Sequence, residues 1–281
     1  MNASLPDPII EPIVRLALAE DLGRAGDVTT AAVVAPNTLA RWTIRARKPG
    51  VVAGLDAAAL ALRLIDPAAV FSIVADEGAR VAAGEAIAHV EGRARSLLTA
   101  ERVMLNFIGQ LSGVATLTAT FVAAVAGTRA RIACTRKTAP GMRALAKKAV
   151  RLGGGSNHRF ALDDAILIKD NHVAAAGGVA KALAAAKAKA GHLLPVEVEV
   201  DGLDQLEEAL PFAPTCIMLD NFSLADLRTA VARVNGGTLL EASGGVDLST
   251  VRAIAETGVD IISVGALTHS APCLDIGLDE T

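Results

Sequence analysis

The chain has 281 residues, 52% of them hydrophobic, and a formal net charge of −3. With six Phe, one Trp and no Tyr it lacks the stacking side chains and the basic excess of a nucleic-acid module, so its core must be built from Ala, Val, Leu and Ile. Its three cysteines, Cys134, Cys216 and Cys273, are odd in number and widely spaced, which excludes a CxxC pair and reads as free thiols in a reducing compartment.

At the N-terminus, Asp7, Glu11, Arg15, Glu20 and Asp21 stand where a signal peptide needs an apolar core. The stretch from Pro8 to Leu22 instead predicts an amphipathic helix, with Ile9, Ile13, Leu16 and Leu18 near helical spacing. No uninterrupted apolar run approaches the ~18–20 residues of a membrane span, and the expectation is a cytoplasmic protein with no membrane and no nucleic-acid partner. "RWTIRARK" alternates as a half-buried strand and "PGVVAG" turns the chain after it. Residues 75–92 have the short-strand, Gly-turn rhythm of a small β unit. A long helix is predicted from Leu97 to Ala126, and Gly109 and Gly113 predict a break within it. That break divides the chain into an N-terminal domain, 1–113, and a catalytic domain, 114–267, with the tail 268–281 available to pack back on the first.

From Arg131 onward β-branched runs alternate with Ala/Leu-rich helices: "RIACT", "AILIK", "VEVEV", "CIMLD", "TLLEA" and "IISVG". Such alternation implies parallel strands with right-handed crossovers. Six units fall short of the eight, in roughly 200 residues or more, of a full barrel, so any barrel is small or incomplete. The reactive residues favour that closure, because they sit at the strands' carboxyl ends. Thr135, Arg136 and Lys137 follow the first strand, Lys169 ends the second, and Glu199 lies near the end of the third. Asp220 closes the fourth, Ser243, Gly244 and Gly245 follow the fifth, and Gly265 and Ala266 follow the sixth. In a barrel all these ends converge on one mouth.

Between Arg129 and His172 there are ten Lys and Arg against three Asp. Lys147, Lys148 and Arg151 read as the solvated face of one helix. Arg136, Lys137, Lys169 and the pair His158–Arg159, which follows three glycines, suit a small multiply charged anion, since Arg forks take carboxylates bidentately. In "VEVEV", Glu197 and Glu199 share one side of the strand and need cationic partners or a metal if that side faces a core. Asp220, on the next strand, would lie beside them, and an acidic pair next to a cationic pocket can hold Mg²⁺ through few protein ligands and substrate oxygens. The Gly-rich turns "EASGGV" and "SVGALTHS" stand where barrels bind phosphate through backbone N–H groups. Residue by residue this describes an α/β-barrel enzyme for an organic anion and a phosphorylated substrate.

The stretch "TRKTAPGMRALAKKAVRLGGGSNHRFALDDAILIKDNH", with "EDLGRAGDVTT", "ARKPGVVAG", "VEVEVD", "IMLDNFS", "EASGGV" and "GVDIISVGALTHSAPCLDIGLD", closely resembles the quinolinate phosphoribosyltransferase family over nearly the whole chain. The resemblance implies an α/β fold, a C-terminal open α/β barrel of about six parallel strands with an N-terminal α/β sandwich domain. It implies transfer of phosphoribosyl from phosphoribosyl pyrophosphate (PRPP) to quinolinate with loss of CO₂ and pyrophosphate, giving nicotinate mononucleotide, with Mg²⁺ required. It assigns the quinolinate carboxylates to Arg102, Arg136, His158, Arg159 and Lys169. Lys137 and Lys169 would face the phosphates of PRPP, Ser243–Gly245 and Val264–Ala266 the ribose 5-phosphate, and Glu199 and Asp220 the ribose hydroxyls and Mg²⁺. It implies a homodimer, or a hexamer made as a trimer of dimers, in which Arg102 reaches the neighbouring site. A sibling family associated with molybdate transport shares the "TRKT" and "HR" motifs, but the intact "LIKDNH" favours the quinolinate enzyme; a non-catalytic anion or nucleotide sensor on the same fold would not require Glu199, Asp220, Lys137 and Lys169 together.

Overall fold

A computed structural model describes residues 4–280; residues 1–3 and 281, at the outer ends of the ranges assigned above, lie outside the described residues. In chain order the elements begin with α1 (Asp7–Leu22), α2 (Val28–Val33), β1 (Leu39–Ala46), β2 (Gly50–Val51), α3 (Leu55–Ile65), β3 (Val70–Ile73), β4 (Arg80–Val81), β5 (Ala86–Arg93) and the long α4 (Ala94–Ala124). They continue with β6 (Arg131–Ala133), α5 (Arg143–Leu152), β7 (Ile166–Ile168), α6 (Asp170–Ala176), α7 (Val179–Lys189), β8 (Val196–Val200) and α8 (Leu203–Ala209). The last are β9 (Cys216–Asp220), α9 (Leu224–Val234), β10 (Leu239–Ser243), α10 (Val251–Ala255), β11 (Ile261–Ser263), α11 (Ala266–His269) and β12 (Ile276–Glu280). Contacts group these into two compact units: the chain up to Ala119 with Thr138–Gly154 and the chain from Leu267 onward, and Thr120–Lys137 with Gly155–Ala266.

The first unit is built on an antiparallel sheet of order β12-β1-β5-β3. Helix α1 is helical as its pattern predicts, but the buried stripe is Ile10, Val14 and Leu18, whereas Ile9 and Leu16 are 54% and 62% exposed. Residues four apart stay in line on a 3.6-residue helix, and the positions between them turn outward. The predicted break in α4 does not occur. An isolated glycine costs a helix about 1 kcal/mol, too little to end one that packs well. The two glycines instead let the chain before β12 approach: the Leu274 N–H donates to the Gly109 carbonyl at 2.9 Å, and a Cβ on Gly113 would collide with the carbonyl oxygen of Pro272. That approach leads into β12, which pairs with β1 from Trp42↔Glu280 to Ala46↔Ile276. Gly113→Ala is therefore expected to cost about 2–3 kcal/mol of stability, or to unseat the C-terminal segment, measured by thermal unfolding; an unchanged midpoint would contradict this packing.

By length and composition α4 could span a membrane, yet 61% of its most apolar window is buried within the fold. Leu97, Met104, Ile108 and Leu111 are core residues. A core helix meets the same criteria as a span, and here the apolar face already has a protein partner.

Helix α5 corrects a second expectation. Lys147 is buried at 3% exposure, and the Lys148 ammonium pairs with both Asp56 and Glu77; of the three cations only Arg151 is exposed. Long aliphatic stems let lysines cross apolar surface to reach carboxylates, which residue type alone does not reveal. Glu77 also accepts the backbone N–H groups of Gly54 and Leu55, both at 2.9 Å, at the start of α3. Lys148→Met would leave two mostly buried carboxylates without their cation. The expected loss is about 3 kcal/mol in denaturant unfolding, and a variant as stable as the parent would show that the pair contributes nothing net.

The second unit carries a six-stranded parallel sheet of order β6-β11-β10-β9-β8-β7. The terminal strands β6 and β7 are not paired with each other, so the barrel is open between them. At that seam Ser156 bridges to Ala133, accepting from the Cys134 N–H at 3.0 Å and donating to the Ile132 carbonyl at 2.8 Å. All five residues of β8 are buried, with Glu197 and Glu199 at 9% exposure each, so both glutamates face the barrel interior and the valines face the outer layer. An edge strand with solvated glutamates is excluded: β8 lies between β9 and β7.

Candidate active site

A cavity of about 140 Å³ opens at the carboxyl ends of the barrel strands. Seven of the predicted residues line it: Thr135, Arg136 and Lys137 after β6, His158 and Arg159 before β7, Lys169 after it, and Ser243 at the end of β10. Thr135 shapes the first turn, its hydroxyl oxygen accepting the Lys137 N–H at 3.0 Å. Lys169 follows a three-residue strand, its backbone N–H donates to His172 Nδ1 at 2.9 Å, and its ammonium donates to Glu199 Oε2 at 2.9 Å. Glu199 thus stands behind Lys169 with its charge matched.

Arg159 is held from two sides. Its Nη1 donates to the Ala165 carbonyl at 2.9 Å, and its backbone N–H donates to His158 Nδ1 at 2.7 Å. Burial, and then the positive charge of Arg136, pull its guanidinium below the ordinary range, against the opposing pull of Asp164 and Glu197. Two guanidinium groups that converge on a half-buried mouth describe a place for an anion.

Beneath Arg159 lies a cluster that the motifs do not announce. His158 Nε2 is 2.9 Å from Glu197 Oε2 and 3.9 Å from Glu241 Oε1. Because Nδ1 accepts the Arg159 N–H, hydrogen bonding assigns the ring proton to Nε2, which donates to Glu197. Glu241 is only 3% exposed; burial first, and then the charge of Glu197, raise its carboxyl to about 7, with His158 opposing. The Oε1 atoms of both glutamates are buried without a hydrogen-bond partner. The three ligand atoms lie within 4.8 Å of one another, a spacing that a metal ion could bridge. A ligating imidazole, however, donates from its other nitrogen, and here that nitrogen faces an N–H donor.

Asp220 and the Gly turns form a further group. Along β9, Asp220 has the parity of Met218, which lines the mouth. Asn221 adopts a left-handed φ of 56°, its backbone N–H donates to the Ser243 carbonyl at 2.9 Å, and its amide donates to Asp220 Oδ2 at 2.7 Å. Its amide oxygen occupies the space a Cβ on Gly244 would need, and Gly244 itself has φ 96°. Asparagine enters the left-handed region readily, and here that turn ties Asp220 to the Ser243–Gly245 turn. Val264 is buried and its N–H donates to the Ala133 carbonyl at 2.9 Å, and Gly265 and Ala266 follow it half-buried. Glu199, Asp220, Gly244, Gly245, Val264, Gly265 and Ala266 do not line the cavity. Arg102 is exposed on α4 in the first unit.

Residue patterns had pointed to Glu197 and Glu199 but passed over Glu241, Ser263 and Asn221. Glu241 had the same signal: a lone Glu between Leu240 and Ala242 alternates inward as the β8 glutamates do.

Comparison with known proteins agrees with this geometry. The family model described as quinolinate phosphoribosyl transferase, N-terminal domain, matches residues 27–112, and the one described as its C-terminal domain matches residues 114–279. The chain is 49% identical over 271 residues to the nicotinate-nucleotide pyrophosphorylase (carboxylating) of Mycobacterium leprae, covering 95% of each. It is 42% identical to the probable nicotinate-nucleotide pyrophosphorylase (carboxylating) of Synechocystis, covering 99% of this chain and 95% of that protein. The solved structure of the nicotinate-nucleotide pyrophosphorylase from Francisella tularensis superposes with a TM-score of 0.94 at 39% identity, covering 100% and 99% of the two chains.

Proposed function

The chain belongs to the quinolinate phosphoribosyltransferase family, and from that premise we propose that its barrel mouth joins quinolinate to PRPP, releasing pyrophosphate and CO₂ and forming nicotinate mononucleotide. The observation that carries this reading is the convergence of Arg136 and Arg159 on one cavity, where burial and the charge of Arg136 lower the Arg159 guanidinium. Quinolinate brings two carboxylates. Arg136 and Arg159 take them with Lys169, and His158 holds Arg159 from behind through its backbone N–H. Lys137 faces the phosphates of PRPP, and the turns Ser243–Gly245 and Val264–Ala266 hold the ribose 5-phosphate through backbone N–H groups.

In the transfer, the bond from C1′ to pyrophosphate breaks and the ring nitrogen bonds to C1′, which carries positive charge in between. Glu199 and Asp220 lie at the strand ends where that charge is favoured. Each commits one oxygen to a neighbouring side chain, Lys169 and Asn221 respectively. Two such carboxylates fit Mg²⁺, which takes one or two protein ligands and completes its shell with water and substrate oxygens. When bound, the ion neutralises charge on the departing pyrophosphate. Once glycosylated, the ring nitrogen is cationic and the adjacent carboxylate leaves as CO₂, its bonding pair remaining on the ring carbon. The working assembly in this reading is a homodimer, or three such dimers, with the exposed Arg102 completing the neighbouring site.

Calorimetric titration tests the anion pocket. Quinolinate should bind at least about tenfold more tightly than nicotinate, because the second carboxylate gains charge-assisted bonds of ~1.5–3 kcal/mol. Equal affinity for the two would sink the assignment.

A further inference from the structure

Two cavities reach Glu241 from opposite ends of the barrel. One is the mouth. The other, about 240 Å³, is lined by Arg131, Ile166, Val196, Cys216 and Ile261, the first residues of five strands, and so lies at their amino ends. Its outer part includes the exposed Arg131. His158, Arg159 and Glu241 alone line both cavities.

The proposed reaction leaves an electron pair on the ring carbon that loses CO₂, and that carbon must take a proton. Few groups in the mouth can give one. Arginines do not deprotonate. His158 has no proton on Nδ1, and its Nε2 proton points at Glu197. In the proposed reading the Lys169 ammonium serves Glu199 and the quinolinate carboxylates, and Lys137 serves the phosphates of PRPP. Glu241 remains, buried, with one oxygen lacking any hydrogen-bond partner and a second carboxylate beside it. Two carboxylates this close in a core do not both stay ionised. Glu241 lines both cavities, and a polar site in a cavity of this size is where water enters.

We infer that Glu241 is the general acid of the reaction: its carboxyl proton passes to the ring carbon as CO₂ departs, and the resulting carboxylate is reprotonated from solvent through the cavity at the strands' amino ends. The bond to the carboxylate breaks, its pair takes the proton, and no other reactant is needed. The groups facing Glu241 are Glu197 from β8, Cys216 from β9, Ser263 from β11 and the His158 imidazole, with Arg136, Lys137, Arg159 and Lys169 around the shared mouth. Its raised carboxyl suits an acid that must be protonated near neutral pH.

This inference rests on the phosphoribosyltransferase reading, and Glu241→Gln separates the two. Glutamine keeps the size and hydrogen-bonding capacity but has no proton to give. We expect kcat to fall about 100-fold or more, the usual contribution of a general acid, with the KM for quinolinate little changed. Wild-type kcat should decline roughly tenfold per pH unit above the pKa of Glu241 in the bound complex, and that limb should vanish in the variant. A Gln variant with the parent's kcat, or with the same descending limb, overturns the role. Should the variant fail to fold, the wild-type profile decides alone, since no descending limb means no acid at Glu241. Absent turnover by the wild-type enzyme would instead overturn the reading on which the inference stands.

Discussion

Glu199→Ala is expected to lower kcat by about 10²–10³, the scale of removing one preorganised electrostatic partner of a transition state, while leaving quinolinate affinity near that of the parent. Glu199 is fixed in β8, nine-tenths buried, with its Oε2 held by the Lys169 ammonium. In the transfer step positive charge grows on the ribose carbon, and a carboxylate already oriented stabilises it without reorganising. Its removal acts twice, because the site loses a negative group and Lys169 loses its partner, so the local potential turns against the cation that must form. Quinolinate, which the proposed reading assigns to Arg136 and Arg159, should feel little of this. Glu199→Gln should share the loss, since it keeps the shape but not the charge. Rates of single turnover together with quinolinate titrations separate the two effects. Unchanged turnover in the alanine variant would remove Glu199 from the chemistry.

Arg136→Ala should do the opposite, raising the KM for quinolinate about 100-fold with little effect on the KM for PRPP. A bidentate carboxylate contact comprises two charge-assisted hydrogen bonds, together worth about 3 kcal/mol or more. Arg136 stands on the turn after β6 and is close enough to Arg159 to depress its guanidinium. Arg136→Lys should recover only part of the loss, because a point charge cannot reproduce the planar fork. If Arg136→Ala raised the KM for PRPP instead, the anion and phosphate roles would have to be exchanged.

The barrel was legible because its strands are short β-branched runs separated by Ala/Leu helices. Each of the six strands from "RIACT" to "IISVG" overlaps its predicted segment, and the reactive residues stand at their carboxyl ends. What escaped the pattern were effects of tertiary contact. Gly109 and Gly113 look like a break until the chain at Pro272–Leu274 is laid across them. Lys148 looks solvated until Asp56 and Glu77, far away in the chain, are brought to it. Helix α5 follows β6 like any crossover helix, yet it packs within the first unit. At the site, Arg136, Arg159 and Lys169 were conspicuous as charges in a neutral background. Glu241 was not, since one acid in an apolar strand gains meaning only when Glu197 and His158 face it. Asn221 suits a left-handed turn by residue type, but its role appears only when the Ser243 carbonyl is brought to its N–H.

The central claim meets its most direct test in turnover with quinolinate, PRPP and Mg²⁺, following loss of quinolinate and appearance of nicotinate mononucleotide, with nicotinate as the control acceptor. The expected result is product, CO₂ and pyrophosphate in equal amounts from quinolinate and none from nicotinate. No product from quinolinate while PRPP still binds would contradict the claim and leave the mouth as a binding site for a different anion.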